Sequence, residues 1–159
     1  MKLIILRGLP GCGKTTLANK IGLEAGAPII HGDDFKLEYM KIERDFKKAL
    51  QYSYDKITEN IKEYISKDEK VVVVEELFND QTLVNNIIQI SKENNIDTHW
   101  FRIKRDLDKL LETEAKRERK VKNTLEDFQK LEKELDNIII EGEVVLENNS
   151  NIDELKILN

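Results

Sequence analysis

The apolar run Leu3-Ile4-Ile5-Leu6 leads into Gly8-Leu9-Pro10-Gly11-Cys12-Gly13-Lys14-Thr15, and the helical stretch Thr15-Thr16-Leu17-Ala18-Asn19-Lys20-Ile21 follows at once. A strand, a turn fitting G-x-x-x-x-G-K-[ST] and a helix, in that order, are what a phosphate-binding loop on a parallel sheet requires. The glycines let backbone N–H groups turn inward into a nest for phosphate oxygens. The new helix adds the positive end of its dipole to the same place. Gly8, Gly11, Cys12, Gly13, Lys14, Thr15 and Thr16 are the expected nucleotide-binding residues. Lys14 would reach the β- and γ-phosphates, and the Thr15 hydroxyl would ligate Mg²⁺.

Beyond this loop the chain alternates strands with helices. Pro28–His31, Val71–Val74, His99–Ile103 and Glu143–Leu146 read as further strands. The four consecutive valines show no alternation, which marks a strand covered on both faces in a parallel sheet. Ile42, Phe46, Leu50, Ile57, Ile61 and Ile65 form one stripe and predict a long helix from about Lys41 to Ser66. Leu83 to Ile90, Leu107 to Ala115 and Leu125 to Leu135 predict three more. Such alternation implies an α/β sandwich around a parallel sheet. The 159 residues are expected to form a single domain.

Composition narrows the function classes. Charged residues make up 36% of the chain, and no segment is apolar for long enough to span a bilayer. The opening apolar run is too short for a signal peptide, and Cys12 is the only cysteine, so the expected location is the cytoplasm. Cys12 itself reads as a small residue where bulk is not tolerated. A net charge of −5 argues against a general nucleic-acid coat but leaves room for a local basic groove. His31 and His99 have no cysteine pair beside them and predict no zinc site.

Ligands of parallel sheets bind beyond the carboxyl ends of the strands. The second strand ends on His31-Gly32-Asp33-Asp34-Phe35-Lys36, and the third runs into Glu75-Glu76-Leu77-Phe78-Asn79. Asp33 and Asp34 are candidates for taking a proton from a hydroxyl nucleophile; the competing reading is a pair that caps the next helix. Glu75 or Glu76 could hold the hydration shell of Mg²⁺. Lys116, Arg117, Arg119, Lys120 and Lys122 form a basic cluster placed to act as a mobile lid over a triphosphate.

These segments, in this order, resemble the small P-loop kinases, nearest to the polynucleotide 5′-hydroxyl kinase branch, with zeta-toxin-like and chloramphenicol phosphotransferase-like kinases as neighbours. The resemblance implies a five-stranded parallel sheet of order 2-3-1-4-5, a helical lid at about residues 113–125, and ATP with Mg²⁺ as donor. It implies Asp33 as general base, with Lys14 and Arg117 as the other catalytic residues. Asp34, Lys36 and Asn79 would contact the acceptor, and Thr15 and Glu75 the metal. This chain has Lys36 where the family carries an arginine, and Thr113 where a second one is often found. The first expectation for the acceptor is a single-stranded nucleic-acid 5′ end. The alternative is a small molecule such as a nucleoside, sugar, metabolite or antibiotic. A regulatory nucleotide-binding NTPase is the third reading; the Asn-Lys-x-Asp motif of guanine switches is absent, since Asn19-Lys20 is followed by Ile21-Gly22.

Overall fold

The computed structural model describes residues 1–118 and 122–149. Five strands, β1 (Lys2–Arg7), β2 (Ile29–His31), β3 (Val71–Glu76), β4 (Asp97–Lys104) and β5 (Val144–Glu147), form one sheet in the order β2-β3-β1-β4-β5. Every pairing is parallel. Among the described residues six helices accompany them: α1 (Lys14–Ala25), α2 (Gly32–Ile42), α3 (Phe46–Ser66), α4 (Gln81–Glu93), α5 (Leu107–Ala115) and α6 (Leu125–Asp136). The sheet order is the one the resemblance implies.

The pleat explains the double-sided core. On one face Leu3, Ile5, Val72 and Val74 pack with Ile57 and Ile61 of α3 and with Leu83, Val84 and Ile87 of α4. On the other, Ile4, Leu6 and Val73 meet Leu17 and Ile21 of α1, Leu110 of α5, and Phe128 and Leu135 of α6. Alternate residues of one strand thus enter opposite cores, which is why the valine run shows no polar alternation. Each such fully buried side chain contributes about 1.5–3 kcal/mol of transfer free energy. Trp100 is buried and meets Phe78 edge-on, with ring centroids 5.4 Å apart. Among the described residues no helix is long and apolar enough to cross a membrane.

The long helix expected over Lys41–Ser66 is two elements. α2 already begins at Gly32 and stops at Ile42; α3 starts afresh at Phe46. The break has a local cause: Asp45 takes an extended conformation and its carboxylate accepts from the N–H groups of Lys47 and Lys48. That N-cap competes with helix continuation, and the apolar stripe carries no sign of it. Ile42 and Phe46, counted into the stripe, are 82% and 66% exposed.

Candidate functional site

Strand register sets the site. His31 pairs with Glu75, Leu6 with Glu75, and Arg7 with Glu76, so β2, β3 and β1 end level with one another. The glycine loop leaves β1 at this rim. Gly8 has φ 146°, and a Cβ there would come within 2.4 Å of the Ile103 carbonyl oxygen, so backbone on β4 excludes any other residue. Gly13 caps α1 at φ 103° with no side chain capping it. The first amides of α1 therefore remain open to an anion, as a phosphate cradle needs. Cys12 is fully buried, and its carbonyl accepts from Asn148 Nδ2 at 2.7 Å. The Lys14 ammonium folds back over the loop to the carbonyls of Gly8 (2.8 Å) and Leu9 (3.1 Å). Thr16 is exposed on the first turn.

The two expected metal ligands are in contact. Thr15 Oγ1 lies 2.9 and 3.0 Å from the two carboxylate oxygens of Glu75 and donates to them. His31 Nδ1 holds the same carboxylate at 2.8 Å. His31 carried no chemical expectation; the register that sets it level with Glu75 is what gives it a place at the rim. Glu75 is only 7% exposed and is thus fixed from both sides.

One residue further, Glu76 is buried and bound to Lys36, whose Nζ sits 2.7 Å from Glu76 Oε1 and 2.6 Å from Asp33 Oδ1. The Leu77 N–H also donates to Glu76 Oε1, at 2.7 Å. Gly32 is needed here, because a Cβ would lie 2.0 Å from Glu76 Oε2. Asp33 and Asp34 both stand in the first turn of α2, where their charge suits the helix dipole. Neither is its cap: that position is His31, and no side chain caps the helix. The Asp33 side chain is 82% exposed to solvent, and the protein around it opposes its ionisation only in part. The Lys36 charge and hydrogen bond, aided by Lys14 and Arg117, outweigh that opposition and hold the carboxyl below its usual value. For Lys36, desolvation is likewise overcome by Glu76 and Asp33, and its ammonium is held above the ordinary lysine value. Asp34 is exposed.

The remaining expected residues stand further from this centre. Arg117 follows α5 and lies 3.5 Å from Glu114, a buried carboxylate that also accepts from the Asn123 N–H at 2.8 Å. Lys116 and Lys122 are exposed, while Arg119 and Lys120 lie outside the described residues. Asn79 donates to Glu134 of α6 at 2.7 Å. A cavity of about 330 Å³ opens between α5 and α6, lined by Leu9, Arg105, Leu110 and Phe128 among others; it includes neither Asp33 nor Glu75.

Two arginines at the rim carried no expectation. Arg7 is fully buried at the end of β1, ion-paired with Glu143 and donating to the carbonyls of Phe78 (3.2 Å) and Leu135 (3.4 Å). It thereby ties down the turn after β3, where Phe78 adopts φ 53°. Arg105 donates to the Gly11 carbonyl at 3.0 Å and to Thr113 Oγ1 at 3.3 Å, joining the glycine loop to α5. Arg7 directly precedes the glycine motif, and a charge ending an apolar strand was the one available signal. Arg105 had none.

The family model described as an AAA domain matches residues 3–138. No curated protein matches the chain. Among solved structures, a candidate kinase from Chloroflexus aurantiacus is similar over 98% of this chain and 88% of its own, at 14% identity and a TM-score of 0.73. A gluconokinase from Sinorhizobium meliloti 1021 covers 96% of this chain and 86% of its own, at 15% identity and a TM-score of 0.68. A sugar kinase from Janibacter sp. HTCC2649 covers 92% and 85%, at 15% identity and a TM-score of 0.64. At such identities the likeness is one of fold, and the polynucleotide kinase branch is not among these neighbours. With its glycine-loop motif, its 2-3-1-4-5 sheet and a match over most of its length, the chain belongs to the AAA domain family and has a kinase-like P-loop fold.

Proposed function

We propose that this chain is an ATP-dependent kinase that moves the γ-phosphoryl group to a hydroxyl of a small molecule. Residues 1–159 would act as one domain, with 113–125 as its lid. The observation that carries this reading is the convergence on one rim of Lys14, the Thr15–Glu75 contact and the Asp33–Lys36 pair. The Asp33-Asp34 pair and the basic lid have no evident use in a regulatory switch. The small-molecule acceptor is preferred over a nucleic-acid 5′ end because the similar folds include a gluconokinase and a sugar kinase.

The residues fit the groups such a reaction needs. The uncapped start of α1 suits phosphate oxygens. Thr15 and Glu75 offer hard oxygen donors side by side, which suits Mg²⁺, an ion that takes one or two protein oxygens and completes its shell with water and phosphate. When bound, that ion would neutralise phosphate charge. Lys14 would leave its loop carbonyls for the β/γ-phosphates. Asp33, held ionised, would accept the proton of the attacking hydroxyl while its oxygen bonds to the γ-phosphorus and ADP departs. Arg117 would move from Glu114 toward the charge that develops on the transferring group.

The test is a transfer assay with γ-labelled ATP against sugars, nucleosides and other small hydroxyl compounds, and in parallel against 5′-hydroxyl DNA and RNA. Label should enter a small molecule and no oligonucleotide. Label in the oligonucleotides alone would restore the nucleic-acid reading.

A further inference from the structure

We propose that the acceptor subsite is built for a polyol carrying no negative charge of its own, either neutral or amine-bearing. The inference deepens the kinase reading and rests on it.

An acceptor that bears phosphate or carboxylate needs a cation free to meet it. Lys36, two residues past the Asp33-Asp34 pair, is the cation nearest the proposed base. It is closed off: its ammonium sits between Asp33 (2.6 Å) and Glu76 (2.7 Å), with its side chain only 15% exposed. Drawing it away toward an anion would strand Glu76, whose side chain is 2% exposed, as a buried unpaired charge. Lys14 and Arg117 serve the donor side in the proposed reaction. Without them, among the described residues in contact with the base, Asp33 and Glu76 stand against one lysine.

A second observation points the same way. Glu76 Oε2 is buried and has no hydrogen-bond partner. It lies at Gly32, the turn that carries Asp33 into the cleft, where even a methyl group would collide with it. A buried carboxylate oxygen without a donor is a costly arrangement, and it invites one from outside the chain. A hydroxyl or an ammonium supplies a proton to such an oxygen; a phosphate or carboxylate supplies none and adds like-charge repulsion. Hydroxyl-bearing, uncharged or cationic acceptors fit this oxygen; anionic ones meet repulsion from Asp33 and Glu76, whose one lysine is already shared between them.

The test uses the full chain, Mg·ATP and acceptors matched in shape but not in charge. Each hexose, pentose and alditol is offered as the neutral compound, its amino analogue, its sugar acid and its monophosphate. Neutral or amino members should show kcat/KM at least about tenfold above their anionic counterparts, the scale of one like-charge contact. Glu76→Gln should bring that ratio toward one. Lys36→Gln, which leaves the carboxylates without their cation, should widen it, and serves where Glu76→Gln does not fold. Preference for an anionic member, or selective loss of anionic acceptors in Lys36→Gln, would overturn the proposal and make Lys36 an anion contact. Transfer to no member, with Lys14-dependent Mg·ATP binding intact, would instead overturn the kinase reading beneath it.

Discussion

In the donor half of the cleft, among the described residues, the Lys14 ammonium bonds only to carbonyls five and six residues away, and the distant groups that touch its loop, Arg105 and Asn148, donate to backbone carbonyls of Gly11 and Cys12 rather than to a charged side chain. In the acceptor half, Lys36 reaches Glu76 forty residues away, and Glu75 is gripped by His31 and Thr15 from two other elements. The Lys14 charge can therefore be removed without unpairing a distant carboxylate. Long-range ion pairs make the acceptor half depend on strand register, so one lost charge there strands another. The difference implies that donor-side substitutions damage turnover while leaving the rest of the site in place. Acceptor-side substitutions should propagate to their partners.

The largest effect is expected from Lys14→Ala. Removing a cation aimed at the transferring phosphates should lower turnover by about 10³-fold, the upper range for one charge-stabilising group. Melting temperature and the Asp33–Lys36 pair should be little changed. Steady-state kinetics with a thermal melt checks this, and a large loss of stability would break the claim that the donor half stands apart.

A smaller effect is expected from Asp33→Asn, about 10²-fold in transfer with ATP affinity intact, which is the lower range for a general base. Asp34→Asn should be milder. A reversed order within the pair would move the base to Asp34 while leaving the cleft's division untouched. Since neither aspartate caps α2, a loss in Asp33→Asn cannot be assigned to a lost cap.

The smallest is a titration. With its folded value below that of the unfolded chain, Asp33 contributes stability that is present above the unfolded pKa, about 3.9, and lost as pH falls through the folded value. Carboxyl-carbon NMR should place its midpoint below the ordinary aspartate value. Lys36→Gln should raise it, because the lysine is the main group holding the proton off. A midpoint indifferent to Lys36 would mean that the pair does not set the acceptor half.

Legibility followed the same division. The glycine loop, the all-apolar β3 and the alternation of strand with helix could be read directly, since each rests on contacts within a few residues or on a periodicity. The pairing of Thr15 with Glu75 could be named as two ligands of one ion but not measured, because it depends on β1 and β3 ending level. The places of His31, Arg7 and Arg105 are not legible in the sequence for the same reason. Their partners Glu75, Glu143 and Gly11 lie 44, 136 and 94 residues away. The break between α2 and α3 was hidden differently: an apolar stripe records which face is buried, while Asp45 stops the helix through a hydrogen bond that competes with it.

By itself the sequence determined that a phosphate-binding loop would sit at the end of a buried parallel strand, because φ above zero at Gly8 and Gly13 and the dipole of α1 are properties of a short segment. It also set Asp33, Lys36, Glu75 and Glu76 at that rim, since every parallel strand delivers its next residues to the same edge. Only the tertiary structure decided how those charges are spent. Asp33 meets Lys36 one turn along α2, but only the assembled sheet brought Glu76 to that ammonium and closed it between two carboxylates, leaving one buried carboxylate oxygen without a donor. Ion pairing depends on distances of a few ångströms between residues far apart in the chain, and those distances come into being only when the sheet assembles.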